Sequence, residues 1–365
     1  MDPSKREERA SKGGRFREAF PLSYPIRREQ HAEINRYVDR LIEESEDRRG
    51  EFFRPDFSSV RCYEESILPL RRRFLEMLGC PPPKAVDPPP PRLERIGQDA
   101  VADVYRVWIE VAEGVQVYGI YMVPRDVAGR APLLVAQHGG GGCPEAICDF
   151  DTRVNYRGFG PEAVRRGYIV WAPLVLMQVT YGGDPEPKTD RRYLDRRARL
   201  VGTSIVGIEV HKIMAGVRAL RDAREEIDGR RIGMTGLSYG GYYTLYAMAG
   251  CPEIAAGACS GYFRSLAVKL SESDAGKASD VGFFGLLSSF GLAETVGLIC
   301  PRPLLIQNGV NDPVVPVEEA REAAPRAKAF YDHLGIGGRF AYHEHPGGHE
   351  FDNDAIFAFF EKQLG

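Results

Sequence analysis

No apolar run in this chain of 365 residues approaches the roughly 20 residues that a membrane-spanning helix needs. The amino terminus, Met1-Asp-Pro-Ser-Lys-Arg-Glu-Glu-Arg-Ala10, lacks the apolar core of a secretory signal. Charge of one sign is missing too: 48 Lys and Arg against 51 Asp and Glu leave a formal net charge of -3. That balance provides no field to attract nucleic acid or an anionic membrane surface, so neither is expected as a partner. The seven cysteines are odd in number and contain no C-x-x-C pair, which predicts reduced, mostly buried thiols and no disulfide framework. Cytoplasmic residence is the expectation. An H-E-x-x-H zinc motif and internal repeats are also absent.

What is present changes character along the chain. Residues 1–30 are polar and basic without a sustained period and read as a loosely held arm. Ile34, Val38, Leu41 and Ile42 keep helical spacing between His31 and Asp47, and Ile67, Leu70, Phe74, Leu75 and Leu78 do so between Glu64 and Gly79. The proline-rich stretch Pro81–Pro91 then reads as a stiff connector, because proline fixes φ and has no N–H to donate. Residues 1–92 are therefore expected to form an arm and helical extension, with 93–365 as the main domain. The helices could cap a site or form a dimer face, which keeps a homo-oligomer open.

Beyond the connector, strands are predicted at 101–111 and 116–123 (a hairpin), 132–137, 168–172, 231–237, 254–259, 303–307 and 339–343. Helices are predicted at 203–225, 239–249, 317–334 and 354–364. Such alternation implies an α/β fold, a mostly parallel central sheet with helices on both faces. Ligands of these sheets bind beyond the carboxyl ends of the strands. Residues 176–201 and 261–298 interrupt the alternation and are candidate lids or pocket walls.

One strand ends in Gly236-Leu-Ser238-Tyr-Gly240, the G-x-S-x-G pattern of a nucleophile placed on a tight strand-to-helix turn. Side chains at Gly236 or Gly240 would crowd that turn. Three further features follow predicted strands. Asp312, in Asn311-Asp-Pro, is the candidate acid. His349, in His345-Pro-Gly-Gly-His349, is the candidate base, with His345 as its competitor. His138-Gly139-Gly140-Gly141-Gly142 is a candidate oxyanion loop, in which backbone N–H groups would stabilise a tetrahedral intermediate. Gly140 is the preferred donor there, with Gly139 or Gly141 as substitutes, and the N–H of Tyr239 is the second donor. His138 is expected to brace this loop. A phosphate-binding reading of the loop fails because no Lys-Ser/Thr pair follows. A metal site on His343, His345 and His349 is disfavoured by the Pro-Gly-Gly between the last two.

With these features in the order Ser238, Asp312, His349, the chain resembles the α/β-hydrolase superfamily over roughly residues 95–365. The similarity is strongest to its acetyl xylan esterase-like and dienelactone-hydrolase-like branch. The stretches that carry it are Glu226–Gly241, Ser260-Gly-Tyr262, Cys300–Gly309 and His345–His349. The resemblance implies cofactor-free cleavage of a small-molecule carboxylic ester by a Ser-Asp-His triad, an acetyl ester of a sugar being one candidate. Dienelactone hydrolases usually carry cysteine at the elbow, which this chain does not. Ser-Tyr-Gly-Gly also looks like the prolyl oligopeptidase family, so a peptidase or amidase is the alternative. A non-catalytic binding protein of the same fold is the third reading.

Overall fold

A computed structural model describes residues 18–126, 129–150, 154–177, 190–266 and 281–365. Parts of both candidate lids, 178–189 and 267–280, lie outside the described residues. Nine strands form one sheet in the order β1-β2-β3-β5-β4-β6-β7-β8-β9. They are β1 (Arg92–Gln98), β2 (Ala102–Ala112), β3 (Val115–Pro124), β4 (Ala131–Gln137), β5 (Ile169–Pro173), β6 (Ile227–Leu237), β7 (Ala256–Ser260), β8 (Leu304–Gly309) and β9 (Phe340–His345). From β1 to β5 the neighbours run antiparallel, and from β5 across to β9 they run parallel. The parallel strands are continuous apolar runs because both of their faces are covered. Strand β7, for example, is buried at every position. The edge strand β1 was not anticipated. Its burial alternates weakly and most of its side chains are exposed, so Arg92–Gln98 carries little apolar signal.

Helices cover the two faces in separate clusters. One face is packed by α3 (Val60–Leu78), α7 (Ile205–Ala223), α8 (Tyr239–Gly250) and the helices Leu292–Ile299 and Val317–His333. The other is packed by α4 (Pro144–Ile147), α5 (Phe159–Arg165) and the last helix, Asn353–Leu364.

The amino-terminal helices differ from expectation. Helix α1 spans Phe20–Glu43, starting well inside the expected arm, and α2 spans Ser45–Phe52. Pro21 stands in the first turn of α1, where its missing N–H costs nothing, so it starts the helix instead of breaking it. The extension is not packed as one unit. Tyr63, Ile67, Phe74 and Leu78 of α3 belong to the main core. Tyr63 Oη donates to Gly297 O at 2.7 Å, and Arg71 donates to Ala249 O and Leu298 O at 2.9 Å. The Ser204 hydroxyl caps α7 by accepting from Gly207 N, and it donates to Leu78 O at 2.7 Å. Gly79 ends α3 with φ 68°, and a Cβ there would lie 2.4 Å from Thr203 Cα. Of the segment 261–298, the Leu292–Ile299 helix belongs to the core, with Val296, Leu298 and Ile299 buried.

Candidate active site

Strand β6 delivers Ser238 at the carboxyl edge of the sheet, immediately before α8. Its backbone is at φ 60° and ψ -121°, a conformation that non-glycine residues rarely adopt. The surroundings impose it. A Cβ on Gly236 would stand 2.3 Å from the Gly240 backbone, and one on Gly240 would stand 2.1 Å from Gln137 O. Both glycines of the pentapeptide are therefore required by the close approach of β4, β6 and α8. The Ser238 N–H donates to Ser260 O at 2.9 Å, which ties the elbow to the end of β7.

Two strands further on, Asp312 and His349 meet. His349 Nδ1 donates to Asp312 Oδ2 at 2.7 Å. The other carboxylate oxygen accepts from the N–H groups of Val314 and Val315 at 2.7 and 3.0 Å. The Asp312 side chain is fully buried, whereas that of His349 is 19% exposed. Burial pushes the Asp312 carboxyl up, but the hydrogen bonds from His349, Val315 and Val314 outweigh it and hold it below the usual carboxylate range. The imidazole lies over the strand ends beside the elbow. A Cβ on Gly261 would be 3.1 Å from His349 Cε1 and 3.0 Å from Leu237 Cδ1, and Leu237 precedes the serine.

The glycine loop lies on the other side of the serine. A Cβ on Gly139 would come within 3.2 Å of Ser238 Cβ, and one on Gly140 within 3.4 Å of the Tyr239 ring. The loop is braced from below. His138 is fully buried; Val175 N donates to its Nε2 at 3.2 Å, so the proton is on Nδ1, which meets Gly139 O at 2.9 Å. Burial pushes the His138 imidazole down to about 4. The Gly139 N–H is already committed to Tyr156 Oη at 2.8 Å. Of the candidate donor glycines, Gly139 therefore has its N–H engaged within the protein. Tyr239 is the first residue of α8, where a helix makes no internal bond through its N–H groups and its dipole favours negative charge.

The remaining histidines have other partners. His343 Nε2 contacts Asp352 Oδ2 at 2.8 Å, and His345 Nδ1 accepts from Gly347 N at 3.2 Å. His345, the competitor for the base, is buried and away from Asp312's hydrogen bonds. Among the described residues no cluster of three metal-ligating side chains exists.

Several supporting residues were not singled out from the sequence. Tyr156 gave no signal. Glu209 and Lys212 did give one, two charges three apart in the largely apolar first half of α7. They pair at 2.7 Å while Glu209 accepts from Leu176 N and Lys212 donates to Leu174 O. Arg191 donates to Leu176 O at 2.8 Å. Together these groups hold the chain leaving β5, against which His138 rests.

The strand order, the serine turn and the carboxyl-edge assembly of side chains are those of the α/β-hydrolase fold. The family model described as the prolyl oligopeptidase family matches residues 206–329, which is less than half of the chain. Comparison with curated protein sequences gives no match. Several solved structures share the fold. A candidate acetyl xylan esterase from Bacteroides fragilis aligns with a TM-score of 0.65 at 14% identity, covering 92% of this chain and 84% of its own. A glucuronoyl esterase from Teredinibacter turnerae aligns at 0.63 and 16% identity, covering 84% and 86%. An acetyl xylan esterase from a Paenibacillus species aligns at 0.56 and 18% identity, covering 88% and 99%. At these identities the likeness is one of fold. Among the described residues no helix is long and apolar enough to cross a membrane.

Proposed function

We propose that this protein is a serine hydrolase that cleaves a carboxylic ester of a small molecule through an acyl-enzyme. One observation carries the reading: a serine held at φ 60° on the elbow stands at the same sheet edge as a histidine hydrogen-bonded to a buried aspartate at 2.7 Å. His349, with Nδ1 occupied by Asp312, presents Nε2 as the base that takes the Ser238 proton. Ser238 Oγ attacks the ester carbonyl, and the resulting oxyanion is held by the N–H groups of Tyr239 and Gly140. His349 then protonates the leaving alcohol, and the same group activates the water that hydrolyses the acyl-enzyme. Asp312 fixes the tautomer and stabilises the imidazolium. The esterase names of the structural relatives support an ester over an amide, and an acetyl ester of a sugar is the first substrate to try. Seven cysteines with no disulfide among them support a reducing, cytoplasmic setting.

The test is hydrolysis of a p-nitrophenyl acyl ester series by the wild type and by Ser238→Ala. Loss of about three or more powers of ten in kcat is expected, and near-wild-type turnover by the variant would overturn the assignment. A second reading, a peptidase or amidase, is favoured by the family match across 206–329, which spans the elbow and Asp312. Turnover of aminoacyl amides measured beside the esters separates the two.

A further inference from the structure

Two residues in the stretches that the sequence singles out are left unused by the proposed chemistry: Ser260 at the end of β7 and Gln307 in β8. Both are fully buried. Ser260 Oγ donates to Gln307 Oε1 at 2.9 Å. The same oxygen accepts from Asp352 N at 3.0 Å, and Gln307 Nε2 donates to Asp352 O at 3.0 Å. The Gln307 amide thus grips both backbone groups of Asp352, three residues after His349. Asp352 is held again through its carboxylate, which meets His343 and caps the last helix at Ala355 N. On its other side, Ser260 accepts the Ser238 N–H through its carbonyl, and Gly261 N donates to Gln307 O at 2.9 Å.

We propose that Ser260 and Gln307 form a positioning bridge that sets the His349 loop in register with the nucleophile elbow. The path is short and continuous: Ser238 backbone, Ser260, Gln307 side chain, Asp352 backbone, His349 loop. Its logic rests on the flexibility of the segment it anchors. Pro346-Gly347-Gly348 leads into His349, and residues of that kind do not hold an imidazole in place by themselves. Asp312 fixes the ring at Nδ1 only, so it sets the tautomer and one direction. The loop's downstream anchor sets how far the ring stands from the serine. A misplacement of about 1 Å is worth on the order of a hundredfold in rate, and a buried glutamine held by three hydrogen bonds is a stiff anchor. Neither residue touches the reacting atoms, so both act through His349 and Ser238.

This inference rests on the proposed esterase chemistry, and the experiment separates the two. Ser238→Ala, Gln307→Met, Ser260→Ala, Ser260→Thr and His349→Ala are assayed on one p-nitrophenyl ester, with thermal melts of each. Gln307→Met keeps the volume and loses every bond. It is expected to lower kcat by roughly 10- to 100-fold with KM within about twofold. Ser260→Ala is expected to lower kcat about threefold to tenfold, and Ser260→Thr, which restores a hydroxyl, to recover most of it. In a His349→Ala background, Gln307→Met is expected to change the residual rate less than about twofold, because the bridge has nothing left to position. An additive loss in that background, or a folded Gln307→Met protein with wild-type kcat, overturns the proposal. If Gln307→Met does not fold, the Ser260 pair decides: equal kcat for alanine and threonine overturns it. If Ser238→Ala retains activity, the esterase reading itself has failed, whichever way the bridge variants behave.

Discussion

Two strand-end loops on the same sheet edge each carry a histidine, and their environments are opposite. His138, after β4, is sealed in the protein with both ring nitrogens committed to backbone groups, and burial holds it neutral far below neutral pH. His349, after β9, spends one nitrogen on a buried carboxylate and keeps part of its ring open to solvent. An imidazole that shuttles protons needs one unoccupied nitrogen and a charge partner. An imidazole that shapes a loop needs neither, and is better with none. The contrast also explains why the chain tolerates a glycine-rich stretch at each place: the loop after β4 is stiffened from beneath by His138 and Tyr156, and the loop after β9 by Asp312 and Gln307.

The largest effect that would break this comparison is on turnover. His349→Ala is expected to cost roughly three to four powers of ten in kcat with the melting temperature little changed. His138→Gln is expected to show the reverse balance, a rate loss of about 10- to 100-fold with a clearly lowered melting temperature, since it disturbs donors rather than the base. Equal rate losses for the two would erase the distinction.

Next in size is a pH effect on stability. His138 titrates near 4 in the folded protein against an ordinary 6.5. Between those values the unfolded chain binds the proton and the folded one does not, so stability falls as pH drops from about 6.5 toward 4. The full difference is about 3 kcal/mol. Burial holds His211 and His345 low as well, adding to the same window. Asp312, held below its usual value, contributes stability that is lost only at still lower pH. Urea melts of wild type and His138→Gln at pH 7 and pH 4.5 isolate the share of His138. The acid-induced loss should be smaller in the variant, and an identical loss would remove His138 from the account.

The smallest effect concerns the brace under the glycine loop. Tyr156→Phe strips Gly139 N–H of its acceptor and leaves a buried donor unpaired, at a cost of about 1–3 kcal/mol in stability. If Gly140 is the donor that matters, kcat should fall by no more than about tenfold. A loss as deep as that of His349→Ala would mean that Gly139 itself is in the oxyanion contact.

Much of this site was legible before any coordinates. Gly236 and Gly240 mark a turn that nothing but glycine permits, and the structure shows contacts at 2.3 and 2.1 Å that say why. The parallel strands announced themselves as short apolar runs, and α7 as an apolar stripe at helical spacing. The misses have equally specific causes. Helix α1 begins earlier than expected because none of its residues is buried, so its first turns carry no apolar period to read. Strand β1 is hydrogen-bonded to β2 but barely buried, so periodicity could not reveal it. Helix α3 was grouped with the extension by the proline connector that follows it, yet its side chains are in the main core. The Gly139 N–H looked available in the sequence, because hydrogen bonding to a tyrosine 17 positions away leaves no local trace.

By itself the sequence determined the nature of the turn at Ser238, the alternation that builds a parallel sheet, and the chain order of serine, aspartate and histidine. These depend on local backbone freedom and on apolar period, both of which are written in neighbouring residues. Only the tertiary structure decided that His138 is sealed with both ring nitrogens engaged, that the Gly139 N–H is spent on Tyr156, and how the His349 loop is anchored. Each of those outcomes depends on burial and on hydrogen bonds between residues far apart in the chain. A side chain's protonation and a donor's availability are properties of what surrounds them in space.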